Sequence, residues 1–154
     1  FRYLYAIAHG AKFIYDADEE YMPWGNGLQQ FDYAEFTHGL CYVAIDDKSD
    51  LRNALFNAYR HFGRADMWPR GFPLKYIKNH LHKDGSYRLC KKMRTAAAQQ
   101  GLIHEDPDIE ILYRSQQSPS NTDFNTFAPA VTLAPGVLAP FNSRNTLFSY
   151  SAFF

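Results

Sequence analysis

The hydrophobic and polar positions at the start of the chain predict a short helix followed by a buried strand. Apolar residues recur at the spacing of one helix face at Tyr3, Leu4, Ile7 and Ala8. Gly10 follows this pattern, at the place where a residue with positive φ commonly ends a helix. The apolar run at residues 13–15 is typical of a strand that is buried on both faces.

The same patterns continue along the chain and predict an α/β protein. The other predicted elements are strands at residues 40–45 and 102–104, an extended edge segment at residues 130–140, a short helix near residues 75–81 and a longer helix at residues 91–100. Residues 51–60 fit either a short helix or an irregular connection. Three residues, Pro69, Gly71 and Pro73, exclude a regular helix between them.

An acidic segment follows the first predicted strand. Asp16 and Asp18 are two residues apart, so an extended backbone would place them on the same side. Ligands of open α/β sheets gather at the carboxyl ends of strands, and two carboxylates there suit Mg²⁺ or Mn²⁺. A second acidic pair, Asp46 and Asp47, also follows a strand and competes for this role, although it also fits an ordinary turn.

Arginines and aromatic residues alternate in the segment that follows. Arg60, His61, Arg64 and Arg70 lie among aromatic side chains in a loop rich in proline and glycine. A guanidinium recognises phosphate or carboxylate well, which favours a binding loop. Stacking of the arginines on Trp68 and Phe72, with the charges in water, explains the same pattern equally well.

Composition excludes several classes of protein. Apolar residues make up 46% of the 154 positions, which excludes disorder for most of the chain. The 16 basic and 16 acidic residues cancel, so the composition gives no general attraction to nucleic acid. No segment has the length and hydropathy of a membrane span. The two cysteines, Cys41 and Cys90, are interpreted as buried small hydrophobic residues, with a disulfide neither required nor forbidden.

Several longer motifs occur along the chain, namely His9-Gly10-Ala11-Lys12, Asn57-x-Tyr59-x-His61-Phe62-Gly63, Trp68-Pro69-Arg70-Gly71-x-Pro73-Leu74, Pro107-Asp108-Ile109-Glu110, Asn142-Ser143-x-Asn145-Thr146-Leu147 and Ser151-Ala152-Phe153. In sequence and in order, these motifs resemble the STELLO-like family of GT-A glycosyltransferases. They extend over nearly the whole chain. Two positions depart from the family pattern, since Glu19 and Glu110 stand where the family has aspartate.

The resemblance implies a partial GT-A fold, with a mixed, mostly parallel sheet and flanking helices, in one domain. The chain begins inside a helical pattern and ends in an aromatic run, and we expect a fragment that lacks the N-terminal part of that fold. The implied activity is transfer from a nucleotide sugar to a glycan or protein acceptor, with Mn²⁺ or Mg²⁺ on the DxD residues Asp16 and Asp18. The implied location is the Golgi lumen, with any membrane anchor outside this chain.

Further site residues follow from residue type within that resemblance. Asp108, and less strongly Asp106, is a candidate for the catalytic base, while a turn before the next segment is the alternative. Arg70 or His61 would bind phosphate. Asn142 and Asn145 offer amide groups to sugar hydroxyls, or else form an Asx-type turn. A second functional hypothesis is an inactive scaffold that binds other glycan-synthesis proteins, in part through its aromatic end, residues 148–154.

Overall fold

The structure, a computed structural model, describes residues 1–23, 25–44, 54–78, 85–104, 107–110 and 123–154. The chain forms two compact units, each assembled from separate segments. Unit 1 contains Phe1–Thr37, Lys92–Leu102 and Asn142–Phe154, and unit 2 contains His38–Lys91 and Ile103–Phe141.

The elements are short. The helices are α1 (Arg2–Ala8), α2 (Ala58–His61) and α3 (Leu74–Lys78), with 3-10 turns at Gly27–Gln30 and Tyr150–Ala152; the strands are β1 (Phe13–Asp16), β2 (Phe36–Val43), β3 (Ser86–Arg94), β4 (Ala98–Gln100), β5 (Val131–Leu133) and β6 (Thr146–Ser149). None of the helices in the described residues is long and apolar enough to cross a bilayer.

Unit 1 is built on the antiparallel sheet β1-β6-β4. Helix α1 ends as predicted, with Gly10 at a φ of 84°, and the Tyr3 ring packs 5.7 Å from that of Phe148. Strand β1 is confirmed, but the prediction that it is buried on both faces is wrong. Phe13 is exposed and residues 14–16 are only half-buried, so neither face of the strand is fully covered.

Unit 2 contains the larger core. Strand β5 pairs in parallel with β2 at the edge of the sheet β3-β2-β5, which confirms the predicted edge segment for residues 131–133. Leu55, Phe72 and Tyr76 form a buried cluster against which Trp68 and Ile77 pack. Helix α3 confirms the first part of the short helix predicted near residues 75–81, and residues 79–81 lie outside the described residues.

The two cysteines form a disulfide between the neighbouring strands β2 and β3. The interpretation of Cys41 and Cys90 as separate buried thiols is therefore wrong. Their Cα atoms are 6.2 Å apart, within the range of disulfides. Sheet pairing brings together two residues that are 49 positions apart in sequence.

The α/β class is confirmed, but the arrangement of the strands differs from the prediction. Within the described residues the strands form two three-stranded sheets where one mostly parallel sheet was predicted, and the sheet of unit 1 is antiparallel. The helix predicted at residues 91–100 is wrong, because this segment forms the end of β3 and the whole of β4. Residues 102–104, predicted as a strand, lie outside any regular element.

Candidate functional site

The first carboxylate of the acidic segment is held by the opening helix. Asp16 is the last residue of β1, and the Tyr3 hydroxyl of α1 donates a hydrogen bond to its Oδ2. Burial raises the pKa of the Tyr3 phenol, and the hydrogen bond and charge of Asp16 raise it further. Tyr3 therefore stays protonated and keeps donating to Asp16 at neutral pH.

The second carboxylate is paired with an arginine across the sheet. The register pairs Asp16 with Thr146, and the same register continued by two residues places Asp18 opposite Arg144. The Arg144 Nε lies 2.6 Å from the Asp18 Oδ2, and its guanidinium lies 5.5 Å from the centre of the Tyr21 ring. Opposite charges in this position stabilise an antiparallel pair. Both side chains are partly exposed, at 37% for Arg144 and 45% for Asp18.

The two asparagines shape the turn that carries Arg144. The Asn142 Oδ1 accepts hydrogen bonds from the Arg144 N–H at 3.1 Å and from the Gln100 Nε2 at 2.8 Å. Asn145 has a φ of 53°, accepts from the Tyr15 hydroxyl at 2.8 Å and donates to the Leu102 carbonyl at 3.0 Å. The Asx-type turn considered for this segment is thus present. These contacts fix the backbone on both sides of Arg144.

In unit 2, the Trp-Pro-Arg-Gly loop is bound to the Pro-Asp-Ile-Glu segment. The Arg70 N–H donates to the Asp108 carbonyl at 2.9 Å, and the Glu110 N–H donates to the Trp68 carbonyl at 3.0 Å. The Glu110 side chain also accepts from the Gly71 N–H at 3.1 Å. Glu110, which stands where the family has aspartate, therefore still supplies a carboxylate, and this carboxylate holds the loop.

Two predicted site residues, Arg70 and Asp108, pair with each other in this unit. The Arg70 Nε lies 3.0 Å from the Asp108 Oδ1, and the Asp108 side chain is 7% exposed against 55% for Arg70. The Tyr59 hydroxyl donates to the Asp108 carbonyl at 2.9 Å. The carboxylate is consequently buried beneath a guanidinium that faces solvent.

His61 borders a cavity on another part of unit 2. The cavity has a volume of about 350 Å³ and is lined by Leu40, Tyr42, Phe56, Asn57, Arg60, His61 and Tyr87. The His61 Nε2 lies 2.9 Å from the Pro129 carbonyl, and the Nδ1 lies 3.0 Å from the Tyr87 hydroxyl. Because a carbonyl only accepts, Nε2 carries the proton, and Nδ1 accepts from Tyr87 in the neutral ring. Both ring nitrogens are thus engaged within the fold.

The structure assigns the predicted residues to two separate constellations. Asp16, Asp18, Asn142 and Asn145 belong to unit 1, whereas His61, Arg70 and Asp108 belong to unit 2. Asp46, Asp47 and Asp106 lie outside the described residues. Among the residues that are described, no group of three or more His, Cys, Asp or Glu side chains comes together to hold a metal.

Sequence reasoning missed Tyr3 and Arg144 as partners of the two aspartates. Arg144 occupies the unspecified position of the Asn-Ser-x-Asn-Thr motif and is 126 residues from Asp18. No local pattern connects positions so far apart. Only the pairing of β1 with β6 reveals the contact, because it aligns the acidic segment with the asparagine turn.

Comparison with known proteins gives two close matches from Arabidopsis thaliana. Probable glycosyltransferase STELLO2 is 32% identical over 158 residues, which cover 98% of this chain and 20% of that protein. Probable glycosyltransferase STELLO1 is 30% identical over 164 residues, with the same coverage of 98% and 20%. No family model matches the chain. The chain belongs to the STELLO-like family, as its motifs predicted, and spans about a fifth of the length of these relatives.

Proposed function

We propose that the chain is part of a GT-A-like glycosyltransferase domain that transfers sugar from a nucleotide sugar to a glycan or protein acceptor. The observation that carries this proposal is the pair of carboxylates at the exit of β1, each held by a defined partner. Support comes also from the two relatives, which are named as probable glycosyltransferases and match nearly the whole chain.

The donor set at the exit of β1 fits a divalent cation. Asp16 and Asp18 each use Oδ2 for a hydrogen bond or ion pair, and the structure gives neither Oδ1 a partner among the described residues. Mg²⁺ in nucleotide enzymes binds one or two carboxylates together with substrate phosphates, so two aspartates suffice. We assign Mn²⁺ or Mg²⁺ to this pair, where the cation would neutralise the leaving diphosphate. Tyr3 would orient Asp16 toward it.

In unit 2, we propose Asp108 as the base that accepts the proton of the acceptor hydroxyl. For this role the Arg70 guanidinium has to move from the carboxylate, and its 55% exposure leaves room for that movement. Arg70 would then be available to phosphate. His61 is the alternative, and for this role its Nε2 has to leave the Pro129 carbonyl. Asn142 and Asn145 carry amide groups of the kind that binds sugar hydroxyls, and for this role they have to exchange hydrogen bonds that now shape the turn.

The disulfide supports a location in the secretory pathway. Disulfides persist in oxidising compartments and are rare in the cytosol. The Cys41–Cys90 bond therefore agrees with the Golgi lumen that we propose for this part of the protein.

Nucleoside diphosphate binding tests the metal pair. The probes are UDP and GDP, titrated against the full-length protein with and without Mn²⁺ and followed by calorimetry. We expect wild type to bind one of them only with Mn²⁺, and Asp16→Asn with Asp18→Asn to weaken this binding by at least about tenfold, because two charged ligands are lost.

Glu35→Gln is the matched control. It removes a carboxylate of unit 1 that forms an exposed ion pair with Arg94, and it should leave binding unchanged. Unchanged binding in the double aspartate variant would refute the metal pair. A wild type that captures protein partners but transfers no sugar would favour the inactive scaffold.

Two single variants test whether Asp108 acts as a base or only forms a structural ion pair with Arg70. Arg70→Gln removes the ion pair between Arg70 and the buried Asp108 carboxylate and should lower the free energy of unfolding by about 1–3 kcal/mol. Asp108→Asn keeps a carbonyl acceptor for Arg70 and should cost about 1 kcal/mol. If Asp108 is the base, however, the asparagine variant loses transfer by about 100-fold or more, although it is the less destabilised of the two variants. If the loss of sugar transfer in both variants is only as large as their loss of stability explains, Asp108 is not the base.

A further inference from the structure

We propose that Arg144 is a tethered cation that neutralises Asp18 until a divalent ion binds, and that then binds the diphosphate of the donor. This inference rests on the proposed function, since it assigns a diphosphate-binding residue to the same site. It starts from one contact, the 2.6 Å ion pair between the Arg144 Nε and the Asp18 Oδ2.

Arg144 is placed at this carboxylate by the backbone. The last pair of the β1–β6 ladder, Asp16 with Thr146, lies two residues from Asp18 on one strand and two residues from Arg144 on the other. The Asn142 side chain fixes the backbone N–H of Arg144, and Asp18 begins a turn in which its carbonyl accepts from the Tyr21 N–H at 3.1 Å. Arg144 therefore lies at the end of the acidic segment before any ligand is bound.

A metal ion bound to the acidic segment would alter its charge balance and so the ion pair between Arg144 and Asp18. Asp16 and Asp18, with the exposed Glu19 and Glu20, are all anionic, and Arg144 is the cation that contacts Asp18. A divalent ion on the two aspartates would compete for the same carboxylate and repel the guanidinium at short range. The partly exposed Arg144 side chain would then leave Asp18. A diphosphate that binds next would balance the added positive charge.

The position of Arg144 favours phosphate as the new partner. A metal held by Asp16 and Asp18 would keep a phosphate close to these carboxylates, because Mg²⁺ binds through carboxylates together with substrate phosphates. Arg144 already reaches that carboxylate, and its guanidinium lies over the Tyr21 ring, 5.5 Å from the ring centre. A guanidinium binds phosphate with the same planar geometry that it uses for carboxylate. The exchange thus needs only a small movement of one side chain.

The test measures two affinities of the full-length protein, for Mn²⁺ alone and for inorganic pyrophosphate in saturating Mn²⁺. Free Mn²⁺ is followed by electron paramagnetic resonance and pyrophosphate by calorimetry. In Arg144→Gln we expect Mn²⁺ to bind about threefold tighter, because the competing cation is gone. Pyrophosphate should bind about tenfold more weakly, because a charged hydrogen-bond donor is lost. A side chain with only a structural role would not move the two affinities in opposite directions.

Arg94→Gln is the matched control, since Arg94 is an exposed arginine of unit 1 that pairs with Glu35 at 3.7 Å, and both affinities should stay at wild-type values. Arg144→Lys should give intermediate values for both, and it replaces the glutamine variant if that one fails to fold. Unchanged affinities in the Arg144 variants, or a change in only one of them, would overturn the inference while the metal site stands. Absence of Mn²⁺ binding in every variant would instead refute the proposed function itself.

Discussion

Phe72→Ala should lower the free energy of unfolding by about 3–5 kcal/mol, enough to unfold much of unit 2 at physiological temperature. The Phe72 side chain is 1% exposed and belongs to the buried cluster with Leu55 and Tyr76. Its ring lies 4.7 Å from that of Trp68 and at an angle of 57° to it. Alanine would leave a cavity that these larger neighbours fill only in part. Denaturation by guanidinium chloride, followed by far-UV circular dichroism, measures the loss.

Phe127→Ala is the matched control for this substitution. Phe127 belongs to the same unit and has the same side chain, but it is 95% exposed. Its replacement should change the free energy of unfolding by no more than about 0.5 kcal/mol. Equal effects of the two substitutions would contradict the core assigned to unit 2.

The Phe72 core also matters for the candidate site. Phe72 follows directly after the Trp-Pro-Arg-Gly loop, and its N–H donates to the Pro69 carbonyl at 3.1 Å. The ring therefore anchors the end of the loop whose arginine pairs with Asp108. We expect Phe72→Ala to disturb that ion pair even in the molecules that remain folded.

Local patterns were sufficient to predict the opening of the chain. Helix α1, Gly10 at positive φ and strand β1 follow from spacing and from the steric freedom of glycine, which need no distant partner. The acidic segment at the end of β1 was found in the same way. What local patterns could not give is the set of neighbours around it, because Tyr3, Arg144 and the asparagine turn meet Asp16 and Asp18 only through the folded sheet.

Residues 91–100 show how tertiary pairing overrides propensity. Lysine, arginine, alanine and glutamine favour helix, and the β-branched Thr95 opposes it only weakly. The segment is nevertheless extended, since β4 pairs with β6 from Ala98↔Phe148 to Gln100↔Thr146. The Gln99 side chain adds two hydrogen bonds to the Asp32 backbone, at 2.8 Å and 2.7 Å. Buried strand neighbours and these side-chain contacts outweigh a few tenths of a kcal/mol per residue of helix preference.

Reduction of the Cys41–Cys90 disulfide should lower the free energy of unfolding by about 3–4 kcal/mol, the second largest effect expected. A bond between residues 49 positions apart closes a long loop, and its loss returns that loop entropy to the unfolded chain. The bond also joins strands β2 and β3, and Leu40, Tyr42 and Tyr87 from these strands line the cavity beside His61. Denaturation with and without dithiothreitol measures the effect of the bond itself, because both sulfur atoms remain in the protein.

Cys41→Ala with Cys90→Ala provides the control for reduction. This variant should resemble reduced wild type, with an additional loss from the packing of Cys41, which is 5% exposed. Dithiothreitol should change its stability by nothing measurable, because no bond remains to be reduced. Since His61 hydrogen-bonds to Tyr87 on β3, we also expect the imidazole resonances of His61 to shift when wild type is reduced. Two alkylatable thiols in the protein isolated without reductant would contradict the disulfide, and with it the support that it gives to a luminal location.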